Sequence, residues 1–374
     1  MTTDTTPTAD DLRRLMTERL VSSGDLASYP WREAFASVPR HAFVPAFTVR
    51  SEGVKHTYDE TDAAWLAAAY GDVSLLTQFD EAGTATSSST QPSLMARMLE
   101  ALFVRDRDTV LEIGTGTGYN AALLSHRLGA DRVTSVDIDP DLVDAARERL
   151  RSAGYEPTLI AGDGMAGCDT HAPYDRLLAT CGVGRIPDAW RAQVRPGGVI
   201  VANVGLGIAR LSIEADHSAC GPFLTDCAAF MSARPTPDTI RNTAQSSYGA
   251  LLTWTGEERE ITLVTTLGAE VPQLLASLAQ PNVMEFTLTA DDGRTIRCLL
   301  DAQTSSWARI TQLDPTTAHL EHGGPRDLWA ERVPLLTHWV AAGRPGAHRY
   351  GLTITAAGHC LWLDSPRGDS WHLT

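Results

Sequence analysis

The chain has 374 residues, with 31 Lys and Arg against 46 Asp and Glu and a formal net charge of −15. That length favours two or more domains, and that charge argues against a general nucleic-acid binder, which neutralises phosphates with clustered cations. No apolar run approaches the roughly twenty residues that span a bilayer, and the polar N-terminus lacks a signal-peptide core, so a cytoplasmic protein with no membrane partner is expected.

The six cysteines form no C-x-x-C pair and read as reduced, buried or incidental thiols. No metal motif is read in the chain: His56, His126 and His171 have no partner at ligand spacing, and nothing is assigned to His319 and His322. In chain order, the first predicted element is a helix over 10–22, with Leu12, Leu15, Met16 and Leu20 on one face. Val38-Pro39-Arg40 and Phe43-Val44-Pro45 follow, then Tyr70-Gly71-Asp72, then Thr90-Gln91-Pro92 opening a helix over 93–103. The apolar run 110–113 reads as a buried parallel strand, and 119–128 as an amphipathic helix.

Between them lie Gly114, Gly116 and Gly118, a G-x-G-x-G turn preceded by Glu112. Glycines there let the turn pass close to a ligand. A strand, glycine turn and helix in succession hold a nucleotide-like cofactor at a strand's carboxyl end. The spacing departs from the G-x-G-x-x-G of dinucleotide folds and resembles S-adenosylmethionine sites, which have no pyrophosphate to cradle. A second strand over 132–138 ends in Asp137, placed to accept from both ribose hydroxyls. Gly162-Asp163-Gly164 offers a third acid, placed for the adenine amino group. Thr115, Tyr119 and Ile138 complete the expected cofactor set. Alternatives stand beside these readings: Asp137 as a helix-start residue ahead of Pro140, and Asp163 as a turn residue. Pro196-Gly197-Gly198 then feeds a buried strand over 199–202.

The predicted organisation is an N-terminal helical, substrate-side segment (1–90), a Rossmann-like cofactor-binding α/β core (91–233) and an additional C-terminal α+β domain (234–374). Residues 232–238, rich in proline and polar side chains, read as a linker. Beyond it the pattern predicts a strand over 260–267, a hairpin over 283–302 turning at 291–293, a helix over 326–342 kinked or broken at Pro334, and a hairpin over 350–364. Trp254, Trp307, Trp329, Trp339, Trp362 and Trp371 concentrate there and read mostly as core.

Together the Val-Pro-Arg and Phe-Val-Pro pieces, Tyr70-Gly71-Asp72, Thr90-Gln91-Pro92, the 162–164 turn and Pro173-Tyr174-Asp175 resemble the protein L-isoaspartyl (D-aspartyl) O-methyltransferase family, over residues 12–204. The resemblance implies transfer of a methyl group from S-adenosylmethionine to a peptide carboxylate, with S-adenosylhomocysteine as product. It implies a hydroxyl before the proline that faces the substrate carboxylate, here Thr90 or Ser89, flanked by Ser88 and Gln91 as substrate contacts. Capping of the following helix is the other role open to Thr90. A carboxylate is already ionised near neutral pH, so the reaction requires alignment rather than a general base.

Two departures bear on the substrate. The repair enzymes have Ser-Ala-Pro where this chain has Thr90-Gln91-Pro92, and they usually lack a tail like 235–374. A long chain of this kind resembles actinobacterial methyltransferases of ribosomally made modified peptides. That implies a modified precursor peptide as partner, esterified on an L-aspartate that then closes to an aspartimide with loss of methanol. Protein repair at isoaspartate is the alternative reading. A small-molecule or nucleic-acid methyltransferase and a non-catalytic scaffold are the remaining ones.

Overall fold

The computed structural model describes residues 7–51, 54–234, 251, 253–289 and 293–373. Helices α1 (Ala9–Ser22) and α2 (Tyr29–Ser37) lead into a four-stranded antiparallel sheet of β1 (Ala46–Ser51), β2 (Val54–Asp59), β3 (Leu75–Phe79) and β4 (Ala85–Ser89), ordered β2-β1-β3-β4. The short α3 (Trp65–Ala69) links β2 to β3. The segment expected to be helical is therefore half sheet. Of its strands β2 is polar and exposed, with only Tyr58 partly covered, and β1 and β3 bury Phe47, Thr48 and Leu75 without a regular apolar alternation.

Helix α4 (Pro92–Leu102) starts on a proline and buries Met95, Ala96, Met98, Leu99 and Leu102. The core then alternates strand and helix: β5 (Val110–Ile113), α5 (Tyr119–Leu128), β6 (Val133–Asp137), α6 (Pro140–Ser152), β7 (Thr158–Ala161), β8 (Tyr174–Val183), α7 (Asp188–Gln193) and β9 (Val194–Val204). The order β7-β6-β5-β8-β9 is parallel throughout, and β5 is buried along its whole length. The strand order reverses at β5, which puts a crevice at the carboxyl ends of β5 and β8. Antiparallel strands β10 (Gly207–Ile213) and β11 (Ala219–Cys227) continue the sheet beyond β9.

C-terminal to these, β12 (Glu257–Thr262), β13 (Val283–Thr289), β14 (Thr295–Asp301), β15 (Ser306–Gln312) and β16 (Thr317–Gly323) form a five-stranded sheet, with α8 (Glu270–Ala279) between β12 and β13. The predicted 283–302 hairpin is the β13–β14 pair; residues 290–292 of its expected turn lie outside the described residues. His319 and His322 stand on strand β16.

Helix α9 (Val333–Ala341) has Pro334 in its first turn, so that proline starts the helix instead of kinking it. The last strands, β17 (Tyr350–Thr355), β18 (Gly358–Leu363) and β19 (Ser370–Leu373), do not stay with the five-stranded sheet: β17 pairs with β11 and extends the core sheet to ten strands. Leu274 and Leu278 of α8, Trp339 of α9, and Leu352 and Ile354 of β17 join the same apolar cluster as Leu177, Ile200 and Leu211. The boundary expected at residue 234 thus does not divide the hydrogen-bonded sheets. An exposed β11 edge is covered by chain from the far end of the sequence.

Candidate active site

The glycine turn after β5 takes positive φ at Gly114 (100°), Gly116 (49°) and Gly118 (89°), values that disfavour a side chain. The close approaches are chiefly to the protein itself. A Cβ on Gly114 would stand 2.7 Å from Thr180 Oγ1, and one on Gly118 3.2 Å from Ala146 Cβ on α6. Only at Gly116 would it point toward the mouth of the crevice, 3.5 Å from the Ser88 carbonyl. Gly118 serves helix packing and does not itself line the cavity, although Thr117 and Tyr119 beside it do.

That cavity, of about 250 Å³, is walled by the glycine turn, by Asp137 and Ile138 after β6, by Asp163 and Gly164, by Ser87 to Thr90, and by residues 229–234. Thr115, Tyr119 and Asn120 also face it. Asp137 accepts from the backbone N–H of Gly116 (2.8 Å) and of Asp139 (3.2 Å), leaving lone pairs on both oxygens. Burial raises its pKa, and the two N–H donors act in the opposite direction. Asp139, not Asp137, caps α6, accepting from Asp141 and Leu142. Asp163 both lines the cavity and turns the chain, accepting from the N–H of Met165 at 2.9 Å.

Three expected site residues lie behind this wall. Glu112 is fully buried and takes Asn120 Nδ2 and Ser135 Oγ, each at 2.6 Å, which holds the start of α5 against β6. Its carboxyl is pushed up to about 7 by burial, opposed by those two hydrogen bonds. Gly162 donates its N–H to the Asp137 carbonyl at 2.8 Å and so fixes the strand end. Gln91 reaches Ser93 Oγ (2.9 Å) and Asp72 (3.2 Å) instead of the cavity.

The hydroxyl wall is set by a buried arginine. Arg40, wholly inaccessible, donates from Nη1 to the carbonyls of Ala69 and Gly71 (both 2.8 Å), and from Nη2 to those of Val73 and Thr90 (both 3.1 Å). Among the described residues no carboxylate lies within ion-pair distance of it. Burial lowers its pKa to about 10, which leaves it charged at neutral pH. Asp72, inside the loop so gathered, accepts the N–H of Ser93 at 2.9 Å and caps the first turn of α4. Thr90 is therefore not the cap. Thr90, Ser87, Ser88 and Ser89 all line the cavity, and Ser89 Oγ is itself buried with no hydrogen-bond partner.

The opposite wall comes from the chain leaving β11, in the stretch expected to start a linker. Gly182 donates to the Met231 carbonyl and accepts from the Ala233 N–H, both at 2.8 Å. Asn203, fully buried on β9, donates to the Ala228 carbonyl at 2.8 Å and accepts from the Phe230 N–H at 3.3 Å. Arg234 lines the cavity and donates to the Thr86 carbonyl at 3.3 Å. Residues 235–238 of the expected linker lie outside the described residues. The sequence signal missed here was Asn203, a polar residue inside an otherwise apolar strand.

The model of the protein-L-isoaspartate(D-aspartate) O-methyltransferase family matches residues 12–221, more than half the chain. The chain belongs to this family. It is accordingly an S-adenosylmethionine-dependent carboxyl O-methyltransferase. The protein-L-isoaspartate O-methyltransferase of Ignicoccus hospitalis is 34% identical over 197 residues, 52% of this chain and 82% of that one. Protein-L-isoaspartate O-methyltransferase 2 of Archaeoglobus fulgidus is 34% identical over 212 residues, 56% of this chain and 86% of its own. A solved protein-L-isoaspartate O-methyltransferase shares the fold at a TM-score of 0.56 and 24% identity, covering 94% of this chain and 100% of its own. A match of that span extends well beyond the 12–221 region, so the C-terminal strands have counterparts in that fold.

Two predictions test the site's framework. Replacing Arg40 by Lys leaves one compact ammonium where a planar fork met four carbonyls. In the Arg40→Lys protein kcat/KM should fall at least about tenfold through misplacement of the hydroxyl wall, with far-UV circular dichroism retained. Glu112 binds its proton more tightly folded than unfolded, so wild-type stability falls as pH rises from about 4.5 toward 7 and stays lowered above it. The isosteric Glu112→Gln protein should melt higher than wild type at pH 8, with the gap closing toward pH 4.5.

Proposed function

We propose that the protein esterifies the α-carboxylate of isoaspartyl residues in peptides and proteins. The observation that carries this reading is the convergence of Ser87 to Thr90 on the cavity that the glycine turn and Asp137 also line, in a chain of the isoaspartyl methyltransferase family, with Ser89 Oγ buried in that wall without a partner. S-adenosylmethionine fits the residues present: Asp137 keeps acceptor capacity for the ribose hydroxyls, Asp163 faces the cavity from the β7 side, and Gly116 leaves the gap between the glycine turn and β4 open. When bound, it supplies an electrophilic methyl group on a sulfonium.

The chain's own part is positioning. The substrate carboxylate enters ionised, its ordinary pKa being about 3.5. Ser89 and Thr90 donate to one oxygen and turn the other toward the methyl carbon, so that no proton needs to be removed. Residues 229–234 cover the cavity and exclude water, which would otherwise solvate the carboxylate and blunt it. Cys181 also borders the cavity, and burial pushes its thiol up to about 12, which keeps a competing sulfur nucleophile protonated beside the methyl donor.

The same geometry would take the side-chain carboxylate of L-aspartate in a pre-cyclised ribosomal peptide, with the ester then closing to an aspartimide. The Thr90-Gln91-Pro92 form supports that reading; the tail does so less, because a solved isoaspartyl methyltransferase matches this chain over most of its length. The test is mass spectrometry of isoaspartyl, L-aspartyl and pre-cyclised peptides incubated with enzyme and S-adenosylmethionine. The isoaspartyl peptide should gain one methyl group, and its linear L-aspartyl twin should gain none. Methylation confined to the cyclised peptide, followed by loss of methanol, would replace the repair reading with the ribosomal-peptide one.

A further inference from the structure

We propose that the enzyme binds the peptide flanking its target residue in a groove that prefers acidic side chains, with Arg50 as its selecting residue. This rests on the carboxyl-methylation reading and names the substrate's flank. A second cavity of about 400 Å³ opens beside the central one and shares Ser74, Leu76, Ala85 and Met231 with it as common wall. Its outer wall includes Arg50 on β1. The inner side of the central cavity is closed by the buried strand ends at Ile113 and Val136. The walls that the two cavities share give a peptide whose carboxylate reaches Ser89 a path outward past Arg50.

The charge of that exit is opposite to the charge of the molecule. Some cations are neutralised in place, as Arg97 is by Asp25 and Asp226, Arg176 by Asp108, and Arg332 by Glu285. Arg50 is exposed, and among the described residues it has no carboxylate within ion-pair distance. Directly opposite it on β2 is Lys55, the only lysine in the chain, likewise without a carboxylate partner among the described residues. Lys55 Nζ lies over the Phe79 ring at 5.6 Å, a contact that joins the β1–β2 and β3–β4 hairpins. Arg50 at this mouth, with Lys55 opposite it on β2, sets a local positive field on a chain of net charge −15, one that draws an acidic segment and repels a basic one.

The test uses the full-length protein and three isoaspartyl peptides that differ only in bearing Glu, Gln or Lys at the residues flanking the target. Each peptide is fluorescently labelled, and binding is read by anisotropy in the presence of S-adenosylhomocysteine, with kcat/KM for methyl transfer read separately. The wild type should bind the Glu peptide about tenfold more tightly than the Lys peptide at low salt. Attraction in one and repulsion in the other each supply a factor of a few, and the ratio should shrink at high salt. Arg50→Glu should invert the order, and Arg50→Lys should keep it. Equal binding of all three peptides by the wild type, or an unchanged order in Arg50→Glu, would overturn the proposal. Binding reports the groove whether or not a methyl group is transferred, whereas absence of turnover on the Gln peptide would count against the isoaspartyl reading instead.

Discussion

The site depends on a buried guanidinium that, among the described residues, has no carboxylate within ion-pair distance. Taking an arginine wholly out of water is costly unless its donors are satisfied, and Arg40 spends two of its nitrogens on the carbonyls of Ala69, Gly71, Val73 and Thr90. Those carbonyls belong to two stretches of chain that the β3–β4 pairing, Leu75 opposite Ser89, and the Asp72–Ser93 hydrogen bond also hold together. Together these contacts place Asp72 under the N-terminus of α4 and set Ser89 and Thr90 along the cavity wall. The Val-Pro-Arg string is thus an architectural element that shapes the substrate side from behind, without itself bordering the cavity.

The cofactor side follows a different logic. Parallel strands β5 and β6 are packed between apolar clusters, and their carboxyl ends hold the glycine turn and Asp137 at fixed separation. Polar groups within this layer, Glu112, Asn120, Ser135 and Thr115, bind one another and stiffen the turn. The third wall hangs from Gly182 and Asn203. Three parts of the sequence far apart from one another therefore converge on one cavity, and the sheet they share with β17–β19 ties the chain's end to the same framework.

How much of this the sequence reveals depends on the range of each interaction. The β5 turn, Asp137 and the Pro-Gly-Gly strand are legible because a buried strand ending in glycine is a local pattern. The role given there to the glycines was too simple, since Gly114 and Gly118 chiefly make room for Thr180 and α6. Glu112 looked like a cofactor contact because it sits two residues before the turn, but strand alternation sends its side chain inward. The strands of the β1–β4 sheet are polar on exposed faces and carry no periodic signal. The docking of β17 on β11 is a long-range edge pairing in which Gly221 and Gly351 meet only after folding: a Cβ on Gly351 would lie 2.2 Å from the Trp362 ring. Pro334 shows the same limit on a small scale, since a proline that starts a helix and one that breaks it differ only in where the helix begins.

The central claim is that the hydroxyl wall held by Arg40 receives the substrate carboxylate at the point of methyl transfer. A crystal structure of the protein with S-adenosylhomocysteine and an isoaspartyl peptide tests it most directly. The account predicts the isoaspartyl α-carboxylate within hydrogen-bond reach of Ser89 Oγ or Thr90 Oγ1, with its second oxygen aimed along the line to the cofactor sulfur. A carboxylate seated away from both hydroxyls, with Ser89 Oγ still unpartnered, would contradict it.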